Sequence, residues 1–308
     1  MTTLVTGGTG FAGAAAVREL ARRGERIAVL SRDASKVAER FPGLDVEARA
    51  GDVTDPSTLT PAFAGIETVI NCVQFPNSPI ENKRKGWTFE QVDYLGTVHQ
   101  VEAARDAGVN RFVYVSGVGA SLEAAKHWFI FKARAEGVVR ASDMTHVIIR
   151  PTWLFGPEDV SLNRFLGFAR WLPFVPMFGD GQQPMQPLFI DDLGRLLADA
   201  VAKPEADNTT FEAGGPDRLS MDGVIQAALE VSGKRRRILH QPAALGKGLA
   251  RILQVLPGPP LTPDAIDFIT HPAVADNTEL ERVFSPRLTP LREALATYLG
   301  KASEEGRA

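Results

Sequence analysis

Apolar residues fall along the first half of the chain in short blocks, separated by longer stretches with a helical period. The blocks "TLVTG", "RIAVLSR", "LDVEARAGD", "ETVINCV", "RFVYVSG" and "THVIIRP" read as strands. Between them, apolar positions recur every three or four residues over 11–23 and 91–107. Each run is closed by a glycine, Gly24 or Gly108, where the end of a helix favours a left-handed residue. Strands and helices alternating at this spacing predict right-handed crossovers and a parallel, doubly wound α/β sheet over residues 1–150.

The pattern changes after Pro151. "LPFVPMFGDGQQPMQP" is rich in proline and glycine and reads as a long loop, and the path of 155–186 follows no period. A strand and helix follow in "PLFIDDLGRLLADAV", then a strand in "TTFEAGG", so 187–215 is expected to pack back onto the first domain. Beyond Ser220 the pattern is mostly helical, in "SMDGVIQAALEVSG", "ALGKGLARILQVL" and "TPLREALATYLG". A smaller, mostly helical C-terminal domain for substrate or partner is therefore expected over 151–302, above the carboxyl ends of the strands. Residues 303–308 are expected to be a frayed polar tail.

Composition narrows the function classes. The 308 residues are 44% hydrophobic and 23% charged, as in an ordinary soluble globular protein. The net charge of −3 argues against nucleic acid as a partner, which would call for a basic surplus. Cys72 is the single cysteine, so no internal disulfide framework is possible, and neither it nor the five histidines group into a metal site. The chain opens on a strand without a basic or cleavable leader, and no apolar run reaches the ~18 residues of a membrane span. A cytoplasmic location is the expectation.

The chemistry begins in "LVTGGTGFAG". Gly7, Gly10 and Gly13 stand directly after a strand and at the start of a helix, with Thr9 and Phe11 among them. Glycines so placed allow a tight turn, a close approach of pyrophosphate to the backbone and close helix–strand packing, while the helix N-terminus offers free N–H groups. This is a dinucleotide site in prospect. The end of the second strand bears on its flavour: Ser31 and Arg32 stand where an NAD-selective site carries an acid, with Asp33 one place later and Lys36 beyond. A guanidinium can hold a 2′-phosphate bidentately, so NADP(H) is expected over NAD(H).

These residues resemble the short-chain dehydrogenase/reductase superfamily of NAD(P)-binding Rossmann proteins, in its extended and atypical branches. "TGGTGFAG" is similar to the family's nucleotide motif. "AGDVTD" is similar to the segment that would border the adenine, here with Asp52 and Val53, and "VINCV", with Cys72, to the strand end that passes the ribose. "IIRPTWLFGPED", "LPFVPMFGDG" and "LPGPPLTPD" carry a narrower likeness, to the NADPH-binding accessory subunit of respiratory complex I and its bacterial relatives. The superfamily uses a tyrosine and a lysine four residues apart for proton work, aided by a serine and an asparagine. Carried over, the resemblance places the serine on Ser116 and the lysine on Lys132. The tyrosine position falls on Trp128 and the asparagine on Asp93. An indole N–H donates a hydrogen bond but keeps its proton at neutral pH, so Trp128 is no acid. Lys132 keeps the role of holding the nicotinamide ribose. His127 points about 100° away from Trp128 around the helix, and Tyr94 and Tyr114 lie on other elements, which leaves each a weak substitute.

Two weaker features complete the reading. Residues 234–237, "KRRR", form a basic cluster that is either a solvated face or a surface for an anionic ligand or partner. Leu245, Leu249, Ile252, Leu253 and Leu256 make an apolar stripe expected to pack on its own domain; exposed, it would point to a lipid-like substrate or a membrane-bound partner. The expected function is an NADP(H)-binding oxidoreductase that passes hydride to a quinone-like or other conjugated acceptor. The alternatives are a non-catalytic NADPH-holding sensor or assembly protein, and a sugar-nucleotide epimerase or dehydratase. The last suffers from the missing tyrosine.

Overall fold

The structure, a computed structural model, describes residues 1–253 and 262–305. Six strands follow the predicted blocks: β1 (Thr2–Thr6), β2 (Arg26–Ser31), β3 (Val46–Ala50), β4 (Thr68–Asn71), β5 (Arg111–Val115) and β6 (Thr145–Pro151). A further strand, Thr209–Ala213, pairs with β6. The sheet runs Thr209–Ala213, β6, β5, β4, β1, β2, β3, and every neighbouring pair is parallel. The central strands read as unbroken apolar runs because both faces are covered; all four residues of β4 are buried. Strand order reverses between β1 and β4, and the crevice at their carboxyl ends is where open α/β sheets take ligands.

Helices α1 (Phe11–Arg22), α2 (Ser35–Arg40), α3 (Leu59–Phe63), α4 (Gly96–Asp106) and α5 (His127–Arg140) belong to the sheet's own crossovers. The predicted 91–107 helix is two pieces, a π-helical segment Phe89–Leu95 followed by α4. One face of the sheet is packed by α1 and by a helix from the later part of the chain. That later helix is α7 (Ile190–Ala202), which follows α6 (Val160–Trp171). At Gly194 a Cβ would lie 2.7 Å from the Ala15 carbonyl oxygen, so α1 and α7 touch backbone to backbone. The other face carries α3, α4 and α5 on a core of Leu4, Phe63, Phe112, Tyr114 and Ile148.

The remaining chain forms α8 (Met221–Val231), α9 (Ala243–Leu253), α10 (Pro263–Thr270), α11 (Thr278–Phe284) and α12 (Leu291–Glu305). Three expectations need correction here. The stretch 155–186 is no continuous loop: it holds α6, and its strand Phe174–Phe178 pairs in parallel with Arg237–Gln241. Prolines and outward apolar residues hide both elements from periodicity. Helix α12 runs through Glu305, where a polar tail was expected from 303; 306–308 lie outside the described residues. Leu245 and Ile252 are each 69% exposed, so that part of the stripe does not pack inward. Leu256 lies outside the described residues, as do the side chains of Leu249 and Leu253.

Ion pairs fasten the later region to the sheet domain. Glu158 receives Arg18 of α1, at 3.1 Å, and Arg40 at the end of α2. Asp267 of α10 takes Lys126, just before α5, at 2.5 Å, and also Lys247 of α9.

Candidate functional site

The glycine turn is too tight for side chains. Gly7 adopts φ +67°, and a Cβ there would sit 2.6 Å from the Cys72 carbonyl oxygen. At Gly13 a Cβ would meet the Gly7 carbonyl oxygen at 2.4 Å. Gly10 receives α1 as its N-cap and supplies no side chain to cap it, so the first-turn N–H groups stay available to an anion. The Phe11 ring lies within contact range of Gly156, which seats the loop after β6 against the start of α1. The arrangement fits a dinucleotide pyrophosphate.

At the end of β2 the polar groups divide. The Ser31 hydroxyl donates to the Asp33 carbonyl at 2.7 Å. The Asp33 carboxylate accepts from the Ser35 amide at 3.1 Å and hydroxyl at 2.6 Å, and these bonds hold its pKa below the usual range. Arg32 is exposed and has no ion-pair partner among the described residues. Further along the same edge, the Asp52 carboxylate is turned onto the Thr54 amide (2.9 Å) and hydroxyl (2.8 Å). Val53 is buried, and its carbonyl contacts His99 Nδ1 at 2.8 Å. Cys72, at the end of β4, has its thiol pushed up to about 12 by burial.

Three of the four positions carried over from the family's catalytic set, Lys132, Asp93 and Ser116, are engaged with buried partners. Lys132 Nζ stands 3.0 Å from Asp93 Oδ1, in the π-helical segment. Asp93 is 1% exposed, and burial raises its pKa against the pull of Lys132. Burial also works against the Lys132 charge, but Tyr114 and Asp93 outweigh it and hold its pKa above the usual lysine range. The Tyr114 ring lies 5.5 Å below the ammonium, and burial pushes its phenol up to about 12. Ser116 donates to Glu136 Oε1 at 2.6 Å. Glu136 in turn accepts from Arg150 at 2.7 and 2.6 Å and from Arg140 at 2.7 Å. The serine proton is thus already committed to a buried carboxylate.

Trp128 is 3% exposed and forms a wall rather than a loose end. Its ring packs against Phe89 (6.3 Å), His127 (5.3 Å), Phe129 (5.9 Å) and, from α10, Phe268 (6.1 Å). The indole nitrogen has no hydrogen-bond partner among the described residues. His127 faces Glu81 at 3.6 Å, and the Tyr94 ring stacks on Phe131 at 6.2 Å, so these two of the three weak substitutes have other neighbours. Sequence reading missed Glu136, Arg150, Glu81 and Phe268. Only Glu136 left a local signal, one helical turn beyond Lys132.

A glycine turn that admits only backbone, at the switch point of a parallel sheet, defines the class: a dinucleotide-binding α/β protein. Comparison with known proteins narrows it. The family described as NAD(P)H-binding matches residues 7–164, more than half of the 308, and the chain belongs to that family. It is 29% identical over 220 residues to the mitochondrial NADH dehydrogenase [ubiquinone] 1 alpha subcomplex subunit 9 of Rattus norvegicus, covering 70% of this chain and 56% of the subunit. It is 30% identical over 237 residues to the chloroplastic divinyl chlorophyllide a 8-vinyl-reductase of Zea mays, covering 70% and 55%. With a ceramide reductase of Caulobacter vibrioides it shares 27% identity over 238 residues, covering 77% and 73%. The chain thus spans little more than half the length of the first two. Among solved structures, the UDP-glucose 4-epimerase of Thermotoga maritima superposes with a TM-score of 0.77 over 99% of both chains at 18% identity, a likeness of fold alone. The resemblance to atypical short-chain dehydrogenase/reductases and to the complex I subunit stands. No helix among the described residues is long and apolar enough to cross a membrane.

Proposed function

We propose that the protein binds NADP(H) and passes hydride to an apolar, conjugated acceptor of the quinone type. The observation that carries this reading is the aromatic wall at the tyrosine position. Trp128, Phe89 and Phe268 pack on one another with their rings inclined at 39° and 65°, so the tyrosine position is apolar, and none of them can give up a proton. A positioned acid contributes about 10²–10⁴-fold, so an unactivated ketone would be reduced poorly here. An acceptor whose reduced anion is stabilised by conjugation needs that help least. Relatives named as reductases of a chlorophyllide and of ceramide support an oxidoreductase with an apolar substrate.

The nicotinamide cofactor, when bound, supplies the hydride. The chain's own residues divide the remaining tasks. The turn at Gly7, Gly10 and Gly13, with Thr9 and Phe11, receives the pyrophosphate, and Asp52, Val53 and Cys72 line the nucleoside edge. Ser31 and Arg32 meet the 2′-phosphate; the preference for NADP(H) rests on the exposed Arg32 and on Asp33 being drawn away to Ser35. Lys132, kept charged by Asp93, holds the nicotinamide ribose, and Ser116 lies beside it, oriented by Glu136. Steady NADPH oxidation with a short-chain quinone, and near-background rates with simple ketones, is the expected result. Brisk ketone reduction would overturn the reading.

A second reading is favoured by one specific observation: Ser116 and Lys132 both have internal partners. A nucleotide held without turnover, in a protein that associates peripherally with a membrane-bound assembly, agrees with that and with the complex I likeness. Tight NADPH binding with no turnover on any quinone, together with co-purification in a larger complex, would select it.

A further inference from the structure

Helix α6 turns apolar side chains in two directions. Leu162, Phe165, Leu166 and Ala169 are buried. On the opposite stripe Val160, Phe168 and Trp171 are 65%, 37% and 81% exposed, spaced as one helical face. A tryptophan so open to water leaves a large apolar surface unburied, which marks an interaction face more often than a solvent face.

Cations surround this stripe. Lys234 donates to the Leu166 carbonyl at 3.5 Å, and Arg236 to those of Ala169 at 3.2 Å and Leu172 at 3.1 Å, so the 234–237 cluster is stitched along the end of α6. The Arg170 guanidinium lies 5.5 Å over the Trp171 ring. Burial, then Arg170 and Arg236, hold the Lys234 pKa below the usual lysine range, so these cations stand near enough to repel one another. None of Arg164, Arg170 and the four residues 234–237 has an ion-pair partner among the described residues. The sequence leaves them uncompensated: 160–179 and 231–263 contain no aspartate or glutamate, in a chain whose net charge is −3.

We propose that the α6 face docks on an anionic lipid surface, with Phe168 and Trp171 entering the interface and the neighbouring arginines on the lipid phosphates. Charge complementarity selects an anionic partner. The apolar positions select lipid over a folded acidic protein, because they are strung along one exposed helical stripe. Aromatic residues among arginines are the composition that settles at a headgroup–acyl boundary. The proposal does not depend on turnover or on the acceptor.

The test is sedimentation of the whole protein with vesicles of phosphatidylcholine alone and of phosphatidylcholine mixed with phosphatidylglycerol. Binding to the mixed vesicles is expected to be at least about tenfold tighter and to weaken as salt is raised. The double variant Phe168→Ala/Trp171→Ala and the double variant Arg235→Gln/Arg237→Gln should each lose most of that binding. All four side chains are exposed, and NADPH affinity measured in the same samples should stay unchanged, which separates lost docking from lost folding and from any failure of the cofactor reading. Wild-type tryptophan emission should shift to the blue on mixed vesicles, and the shift should be largely absent in Trp171→Phe. No binding to mixed vesicles at low salt overturns the proposal, as does full retention of binding by the Phe168→Ala/Trp171→Ala variant. Capture by polyglutamate without vesicle binding also overturns it, and would give the face to an acidic protein.

Discussion

Single side chains carry the sharpest expectations. Arg32, exposed just after β2, has no ion-pair partner among the described residues while Asp33 is bound to Ser35, so Arg32→Ala should weaken NADPH and leave NADH nearly untouched. A hydrogen bond to a charged group contributes roughly 1.5–3 kcal/mol, so a loss of about tenfold to a hundredfold is expected in parallel titrations. Trp128→Phe should leave nucleotide affinity unchanged and abolish no activity, as read by fluorescence titration and NADPH consumption, because no proton passes through the indole. Asp93→Asn goes further, because it strips the buried Lys132 of its counter-charge. Breaking a buried pair in this way costs about 3–5 kcal/mol, and the melting temperature should fall. The lysine pKa, raised in the wild type, should then drop. NADPH affinity in the variant should therefore weaken as pH rises toward 9, where the wild type stays flat. Tyr114 and Cys72, the titratable neighbours of the ammonium, are both pushed up to about 12 and so keep their protons across that window.

At the scale of elements, Glu136 ties together α5, β5 and β6 through Ser116 and Arg150. Burial pushes its pKa up, but Arg150, Ser116 and Arg140 outweigh burial and hold it below the usual carboxylate range. A carboxylate depressed in the folded state contributes stability above its unfolded pKa and loses it as pH falls through the folded value. Glu136→Gln should thus be destabilised by about 3–5 kcal/mol at pH 7, with the gap to wild type closing in acid, in melting curves taken across pH. This cluster also marks the limit of what the sequence discloses. The β-strands were legible because a sheet covered on both faces needs unbroken apolar runs, as in "TVIN" and "FVYV". Helix α6 was not, because apolar residues face both inward and outward and blur its period. The strand Arg237–Gln241 was hidden likewise, since four consecutive cations precede or open it. The glycine turn could be read because its geometry is local. The partners of Ser116, and Phe268 over Trp128, come from distant parts of the chain and leave no local trace.

Over the whole molecule, α10 meets the sheet domain through two kinds of contact: Phe268 on Trp128, and Asp267 on Lys126. Asp267→Asn should loosen this seat, speeding proteolysis within residues 262–270 while leaving NADPH affinity unchanged; equal cleavage rates in variant and wild type would remove α10 from the clamp. The strand Thr209–Ala213 has a different reach. It hydrogen-bonds to β6 and caps the side of the sheet on which Val147, Ile148 and Ile149 lie, yet it is synthesised some sixty residues after them. Until the ribosome has released it, β6 presents an unpaired apolar edge, the kind of template on which chains add to one another. A fragment ending at residue 150 should accordingly precipitate, even though it contains the whole glycine turn, and one extended to 215 should stay in solution.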